Sequence, residues 1–501
     1  MSSFAHGSSG NGTLTQLIAV GALDQYLSAN ATFTYFKIRY NKHTPFAMES
    51  IGQPFGTAVS FGTESQVTLN RNGDLVYYLY AVVELPGITA CDRDAENCAG
   101  LTATTQFPSV DNCEPCKAAD RAVYEEYLED GYTAGDSVAK EEMLTRAKAR
   151  WVRDKYQGCT PLGCCDDAVD CPTEICPELG GVYAHYSNAI GQLLIRAARV
   201  VIGGSTIDTL YSDFLFMWEE LTGKSGRRLT EMIGKRFSRS HLICDSRQKR
   251  VLYVPLPFWF TQHSGQALSL SSLQFHGVAI HIEWARLEHC IVTSGPNVVV
   301  KSCGDGCCLT NQSLSACIET TYVYLEDAER QRFATTAFEV LICQTQAYQI
   351  QTCNSQIRMS LGFNHPVTEI MWAVRRQCNE KANSWFNYSG IDARDPVTTA
   401  ALYLNNQARF SGKPGSYFRT VQPYQHHTNI PDCFLYVFSF ALHPEDASPS
   451  GSCNMSRIDH CDLALQLVDG LGKEQVTVLV FARNHNILRF REGLGGLAYA
   501  N

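Results

Sequence analysis

Apolar and polar positions alternate over short stretches separated by turn residues along most of this chain. Residues 32–40 (TFTYFKIRY) set aromatic and β-branched residues against polar ones, the period of a half-buried strand. A short strand is predicted over 65–69. Asn72 and Gly73 are a hairpin-type turn signal leading into 75–85 (LVYYLYAVVEL), which Pro86 closes. The pattern returns at 193–202 (LLIRAARVVI), followed by Gly203 and Gly204. Residues 252–284 read as two long strands around a glycine-containing turn near 263–265. Pro255 and Pro257 withhold ladder donors, which places the first arm at a sheet edge or a bulge. Further strands are predicted at 322–325, 366–374, 433–442, 463–468 and 475–481.

Helical periodicity is local. Ser212 is expected to cap a helix over 213–221, in which Phe214, Trp218 and Leu221 share a face. A second short helix is expected around 229–233, and 327–342 reads as a helical joint between domains. Between about 87 and 181 the strand rhythm breaks. There a charged, alanine-containing stretch, 117–156, reads as two helices broken near 131–135. A polar, helical segment inside a β context predicts an insertion hung from a loop. Many short strands with Pro, Gly, Ser and Asn punctuation predict an all-β sandwich or jelly roll. From about Phe338 that pattern repeats in architecture, without a legible sequence repeat. A chain of 501 residues exceeds what one core fills, so two or three domains are expected.

Hydrophobic content of 45% with 18% charge fits a folded, core-forming protein. The net charge of −9 argues against binding a phosphate backbone, which wants a concentrated basic surface. The basic clusters at 224–228 and 235–239 are short and read as loops or solvated helix ends. The N-terminus lacks a basic region before its interrupted apolar portion, so no signal peptide is read. No apolar run is long enough to span a bilayer, and folding in the cytosol is expected. Twenty-one cysteines are many for that compartment. Cys91, Cys98, Cys113, Cys116, Cys159, Cys164, Cys165, Cys171 and Cys176 form one cluster; Cys303, Cys307, Cys308 and Cys317 form another. Only Cys113 and Cys116 have zinc-hairpin spacing. Disulfides, free thiols and zinc remain the alternatives, in that order.

No catalytic, cofactor or metal site is assigned. His426 and His427, with His443 beyond, could ligate a metal, but adjacent histidines on a strand point to opposite faces. Asp327, Glu329 and Glu339 could pose as an acid/base pair; on a charged helix they are expected to be solvated or paired with Arg330 and Arg332. Five N-x-S/T triplets begin at Asn11, Asn30, Asn311, Asn387 and Asn454, and a chain folded in the cytosol does not meet the usual glycosylation machinery.

Several blocks carry a more specific signal. Near the start are Gly21-Ala-Leu-Asp-Gln-Tyr-Leu27, Phe36-Lys-Ile-Arg-Tyr-Asn-Lys-His-Thr-Pro-Phe-Ala-Met-Glu-Ser50 and Arg71-Asn-Gly-Asp-Leu75. Ile202-Gly-Gly-Ser-Thr-Ile-Asp208 and Trp218-Glu-Glu-Leu-Thr222 follow, then Tyr322-Val-Tyr-Leu325 with Glu329-Arg-Gln-Arg-Phe-Ala334. Phe363-Asn-His-Pro-Val367, Gly415-Ser-Tyr-Phe418, Gln422-Pro-Tyr-Gln-His-His427 and Gly493-Leu-Gly-Gly-Leu-Ala-Tyr499 complete the series. In this order they resemble the major capsid proteins of nucleocytoplasmic large DNA viruses, of the phycodnavirus and iridovirus type. The departure is the cysteine-rich segment 87–181.

The resemblance implies an all-β fold of two tandem eight-stranded jelly rolls, with a cysteine-rich, partly helical insertion in the first. It implies an arm over 1–29, a first roll over 30–335 with the insertion at about 87–181, and a second roll over 336–501. Three copies would form a homotrimeric, pseudo-hexagonal capsomer of an icosahedral shell, assembled in the host cytoplasm and located in the virion. Implied partners are neighbouring capsomers, minor capsid and penton proteins, and an internal viral membrane facing the arm at 14–27, with no direct nucleic acid contact. No enzyme activity and no cofactor are implied, and the choice among cysteine bridges, free thiols and zinc stays open. A jelly-roll lectin or receptor-binding spike is the alternative from another class, and an enzyme ranks third.

Overall fold

In the first half of the chain, β1 (Phe46–Pro54), β2 (Glu64–Thr68), β3 (Leu75–Leu85), β4 (Ile195–Ile202), β5 (Ser205–Tyr211), β6 (Arg250–Pro255), β7 (Val278–Trp284) and β8 (Ser315–Leu325) form two antiparallel sheets. One runs β1-β8-β3-β6 and the other β2-β7-β4-β5. In the second half, β9 (Phe338–Thr352), β10 (Gln356–Ser360), β11 (Pro366–Arg376), β12 (Val397–Leu404), β13 (Gln407–Pro414), β14 (Leu435–Ser439), β15 (Cys461–Leu467) and β16 (Val476–Arg491) do the same. Their orders are β9-β16-β11-β14 and β10-β15-β12-β13. The second half therefore repeats the strand order of the first. Even the hairpin turns match: Gly203 and Gly204 between β4 and β5 have φ of 56° and 85°, and Asn405 and Asn406 between β12 and β13 have 48° and 63°. Glycine and asparagine are the residues that enter this left-handed region at least cost.

These features belong to a computed structural model that describes residues 42–92, 183–224, 229–236, 239–294, 298–302, 309–468, 470–471 and 474–499, with isolated positions before 42. Residues 46–501 make one compact unit. The strand expected at 32–40, nearly all of segment 87–181 and most of both cysteine clusters lie outside the described residues. What is described of that segment is a strand, Ile88–Asp92, paired with Val298–Ser302. On its far side Ala184–Tyr186 pairs with Ile291–Thr293. Both ends of the segment are thus tied to the connection between β7 and β8.

Burial patterns explain why these strands form. In β7 buried Val278, Ile280, Ile282 and Trp284 alternate with half-buried Ala279, His281 and Glu283, the pattern of a strand with one wet face. In β11 every residue after Pro366 is buried, and in β16 so are the first eleven. Two cores account for this. Ile370, Trp372, Val374, Val478, Val480 and Ala482 point into the core of the second half. Met371, Ala373, Leu479 and Phe481 point the other way, into the core of the first half. The sheet β9-β16-β11-β14 is therefore sandwiched between two apolar layers.

Several expectations change. Residues 252–284 do not form a hairpin: β6 and β7 lie in different sheets, joined by a helical turn Trp259–Gln262, a 3-10 turn and a bridge Leu268–Ser269. Packing of Phe258, Trp259 and Phe260 in the core, not pairing, explains the aromatic density. β6 does lie at a sheet edge, as its prolines require. The helix after β5, α1 (Ser212–Thr222), is preceded by Tyr211, and no side chain caps it; Ser212 is already helical. The helix expected over 327–342 is α2 (Asp327–Thr335) and stops there. Phe338 onward is β9, paired with β16 along its whole length, and this long-range ladder overrides the local helical pattern. Residues 190–194 form a short helix before β4.

Candidate functional site

The seam between the two halves concentrates the chemistry of the molecule. From the first half, α1 presents Phe214, Phe216 and Trp218. Phe216 stacks on Phe386 at 4.4 Å, and Phe214 meets Phe481 edge-on at 6.0 Å. Around this apolar contact lie buried charges. Glu369 of β11 sits 2.9 Å from His427, whose other ring nitrogen lies 3.0 Å from Glu445. Arg483 of β16 is 3.4 Å from Glu369, donates to the Pro444 carbonyl at 2.9 Å and to Gln262 at 3.2 Å, and lies 3.9 Å over the Trp218 ring. The last two contacts cross from one half to the other. A second tie joins Arg375 to Asp213 at 2.7 Å and to Glu380 at 2.9 Å, while Tyr388 donates to Asp213 at 2.8 Å. A third is Asp208, which accepts from the backbone N–H groups of Thr345 and Thr209 at 2.9 Å each.

Burial opposes every one of these charges, so their pairing decides their state. It works against the charged form of His427, but Glu369 and Glu445 outweigh it and raise the imidazole from 6.5 to about 9. Burial likewise works against the Glu369 carboxylate, and His427 and Arg483 reverse this to hold its pKa below the usual value. Among the described residues Asp208 has no such partner in contact; burial pushes it up to about 7 against the pull of its two backbone donors and of the Arg483 charge. A raised folded-state pKa means stability that is complete below the unfolded value and lost as pH rises through the folded one. The His427 contribution is therefore lost between pH 6.5 and about 9. The expected result is a melting temperature that falls across that window, with the fall reduced in His427→Gln. An equal fall in the variant would remove His427 from the account.

The seam was not found in the sequence, although one signal pointed there. Glu369 inside PVTEIMWAV and Arg483 inside VTVLVFARNH are lone charges in strands without a wet face, and such charges need partners. The expected sites are dispersed. His426 and His427 lie at the end of a helix, Gln422–His426, and not on a strand. His426 faces the Leu442 carbonyl at 3.0 Å, His427 faces the two carboxylates, and the backbone N–H of His443 donates to Ser450. Among the described residues no group of three or more His, Cys, Asp or Glu is placed to hold a metal ion. Asp327 pairs with Arg330 on α2, and Glu339 pairs with Arg489 across β9 and β16 at 2.7 Å. Cys244 is disulfide-bonded, Cys290 and Cys461 are buried free thiols, and Cys378 and Cys433 are buried. Asn387 accepts from the backbone and hydroxyl of its own triplet's Ser389, whereas Asn311 and Asn454 are exposed. Among the described residues no helix is long and apolar enough to cross a membrane.

A second feature is an uncovered face. In the first-half sheet β1-β8-β3-β6, Leu79, Ala81, Val83 and Leu85 point into the core. The opposite face carries Met48, Tyr78, Tyr80, Val82, Val251 and Tyr253. Tyr78 and Tyr80 have ring centroids 6.4 Å apart, and Val82 pairs with Tyr253 across the ladder. Met48, Tyr78, Val251 and Tyr253 are all exposed. Glu84 and Glu319 lie on the same face, Glu319 opposite Tyr80 across the ladder, so charge is interspersed among these exposed apolar side chains. The corresponding face of the second half is the one buried in the seam.

Family comparisons agree with this arrangement. A family model described as large eukaryotic DNA virus major capsid protein matches residues 329–496. A second, described as major capsid protein N-terminus, matches residues 34–106 and 171–326. The major capsid protein of Pyramimonas orientalis virus is 31% identical, covering 98% of this chain and all of that one. That of Paramecium bursaria Chlorella virus 1 is 28% identical with the same coverage. Among solved structures, a quasi-atomic model of the PBCV-1 virus capsid superposes with a TM-score of 0.63 at 23% identity, covering 93% of this chain and all of that one. The Faustovirus major capsid protein superposes with a TM-score of 0.62 at 10% identity, covering 96% of each chain. With its double jelly-roll sheets and full-length similarity to these relatives, the chain belongs to the major capsid protein family of large eukaryotic DNA viruses.

Proposed function

We propose that this chain is the repeating brick of an icosahedral shell, with three copies joined in a pseudo-hexagonal capsomer. The observation that carries the reading is the repeated strand order, β1-β8-β3-β6 with β2-β7-β4-β5 and its counterpart in β9 to β16. One polypeptide so built supplies two similar eight-stranded wedges, and a threefold arrangement of two wedges has a nearly six-sided outline. The domain division follows: an arm over 1–29, a first roll over 30–335 and a second over 336–501. The cysteine-rich segment 87–181 is read as an insertion in the first roll. The gap between the two stretches matched by the N-terminal family model, residues 107–170, falls inside it. Assembly in the host cytoplasm, contact with minor capsid and penton proteins, and an inward-facing arm near an internal membrane belong to the same reading. So does the absence of catalysis: the buried polar groups of the seam bond one another or the backbone and serve cohesion.

Sedimentation of the purified chain, with an image of its outline, tests this. Trimers with a six-lobed outline are expected; a stable lone subunit at high concentration contradicts the reading. Salt provides a second check. Each copy carries −9, so association works against a repulsion that salt screens over about 8 Å at physiological strength. Association is expected to strengthen from low to moderate ionic strength, and a flat response contradicts the charge argument.

A further inference from the structure

Where β5 of the first half meets β9 of the second, two sheet edges lie side by side. β5 ends the order β2-β7-β4-β5, and β9 begins β9-β16-β11-β14. An edge strand leaves backbone donors and acceptors outside the ladder, and buried ones need other partners. Side chains supply them here. Asp208 Oδ1 accepts the N–H of Thr345 from across the joint at 2.9 Å, together with the N–H of Thr209 at 2.9 Å. Gln344 reaches back and donates to the Ile207 carbonyl. A β-bulge in β5 prepares this meeting: Val200 faces Asp208 and Val201 faces Thr206, which leaves Ile207 outside the ladder with β4.

Asp208 is buried, and among the described residues no cation touches it. An ionised carboxyl there has lost its water and gained two backbone donors and the pull of Arg483. The other groups nearby offer little more. On the second half these are Cys343 of β9, His485 of β16 and Glu369 of β11, and Glu369 already engages Arg483. Burial holds the His485 imidazole below its ordinary pKa, so it brings no charge near neutrality. On the first half Tyr211 shares the strand, Arg199 of β4 is taken up by Glu64 and Glu283, and Asp213 of α1 by Arg375. The strand Leu494–Leu497, which also packs on β5, carries no titratable side chain.

We infer that Asp208 is a pH-sensitive latch between the two rolls, closed when its carboxyl is protonated and loosened when it ionises. Both forms keep Oδ1 as an acceptor, so protonation leaves the joint intact. Ionisation strains it, because the charge regains hydration only if the edge opens to water. Burial raises the carboxyl from 3.8 to about 7 in the closed joint, and an opened joint returns it to the ordinary value. A raised pKa gives stability that is complete below the ordinary value and lost as pH rises through the raised one. The open fraction therefore grows about tenfold per pH unit within that window and is level above it. The window lies below that of His427, which runs from 6.5 to about 9. The two groups thus weaken the seam in succession as the medium passes from acid to alkali. This inference stands apart from the capsomer reading, since both edges belong to one chain.

Hydrogen exchange of the purified full chain tests it, read by mass spectrometry on peptides carrying Thr345 and on control peptides from β12. After division by the intrinsic rate at each pH, protection around Thr345 is expected to fall about tenfold per unit as pH rises toward 7. Asp208→Asn keeps an oxygen for both N–H groups and cannot ionise, so its protection is expected to be level over the same range. Protection in β12 should be level in both proteins. A wild-type profile that is level below pH 7 overturns the inference, whether or not the variant folds. So does a fall in Asp208→Asn as steep as in the wild type, or a fall shared equally by β12, which would mean general loosening.

Discussion

Replacing Glu369 with alanine is expected to destabilise the folded subunit by about 3–5 kcal/mol, the cost of leaving buried charge without its partner. Both His427 and Arg483 lose their shared counter-ion in this variant, and neither has water to turn to, since the side chains of Glu369 and His427 are fully enclosed. His427 retains Glu445, and Arg483 retains the Pro444 carbonyl, which keeps the loss toward the lower end. The denaturation midpoint of the isolated subunit reads the effect. A companion experiment separates charge from packing. If the pair is removed together, as in Glu369→Leu with Arg483→Met, much of the stability is expected to return, because apolar residues of similar volume can replace a buried ion pair at little cost. A double variant as unstable as Glu369→Ala would mean that shape, not charge pairing, governs the seam.

Trp372→Ala is expected to cost about the same, roughly 3–5 kcal/mol, by a different route: a cavity in the second core. The ring stacks on Tyr436 at 5.8 Å and lies 5.2 Å from Phe418, so two aromatic side chains lose contacts at once. Its indole N–H finds no acceptor among the described residues. Trp372→Phe should therefore be tolerated far better, since it keeps a ring and deletes an unpaired donor. Equal midpoints for the alanine and phenylalanine variants would contradict this account of the core.

Strands marked by alternation or by a bounded apolar run were legible in the sequence, and joints were not. Residues 75–85, 366–374 and 463–468 announce themselves by alternation or by apolar runs ended with turn residues, and each lies within a strand or overlaps its end. Residues 252–284 misled because dense aromatics suit a strand and a core loop equally. The extent of β16 was underestimated at 475–481 because Arg483, Asn484, His485 and Asn486 look like the end of a strand. They are buried instead, bonded into the seam where Gln344 and Glu369 meet them. Their partners lie more than a hundred residues away, on other strands of the same sheet and, for Arg483, in the other half, which no local window contains. The metal reading of His426 and His427 assumed a strand and reached its negative answer by the wrong geometry. One block of the family resemblance begins at Gly415, where the chain leaves β13 for a helical run. A Cβ added there would come within 2.2 Å of the Val397 carbonyl oxygen, so the block marks a close backbone approach.

The doubly covered sheet of the second roll has a consequence for how such a protein can change over generations. Along most of β11 and β16 no position faces water, so nearly every substitution there is felt by one core or the other. The wet face of β7, and the loops that leave the strand ends, carry no comparable burden. Divergence among related shells should therefore accumulate at the rims of the rolls, while the shared central layer drifts slowly and keeps the two wedges at a fixed angle.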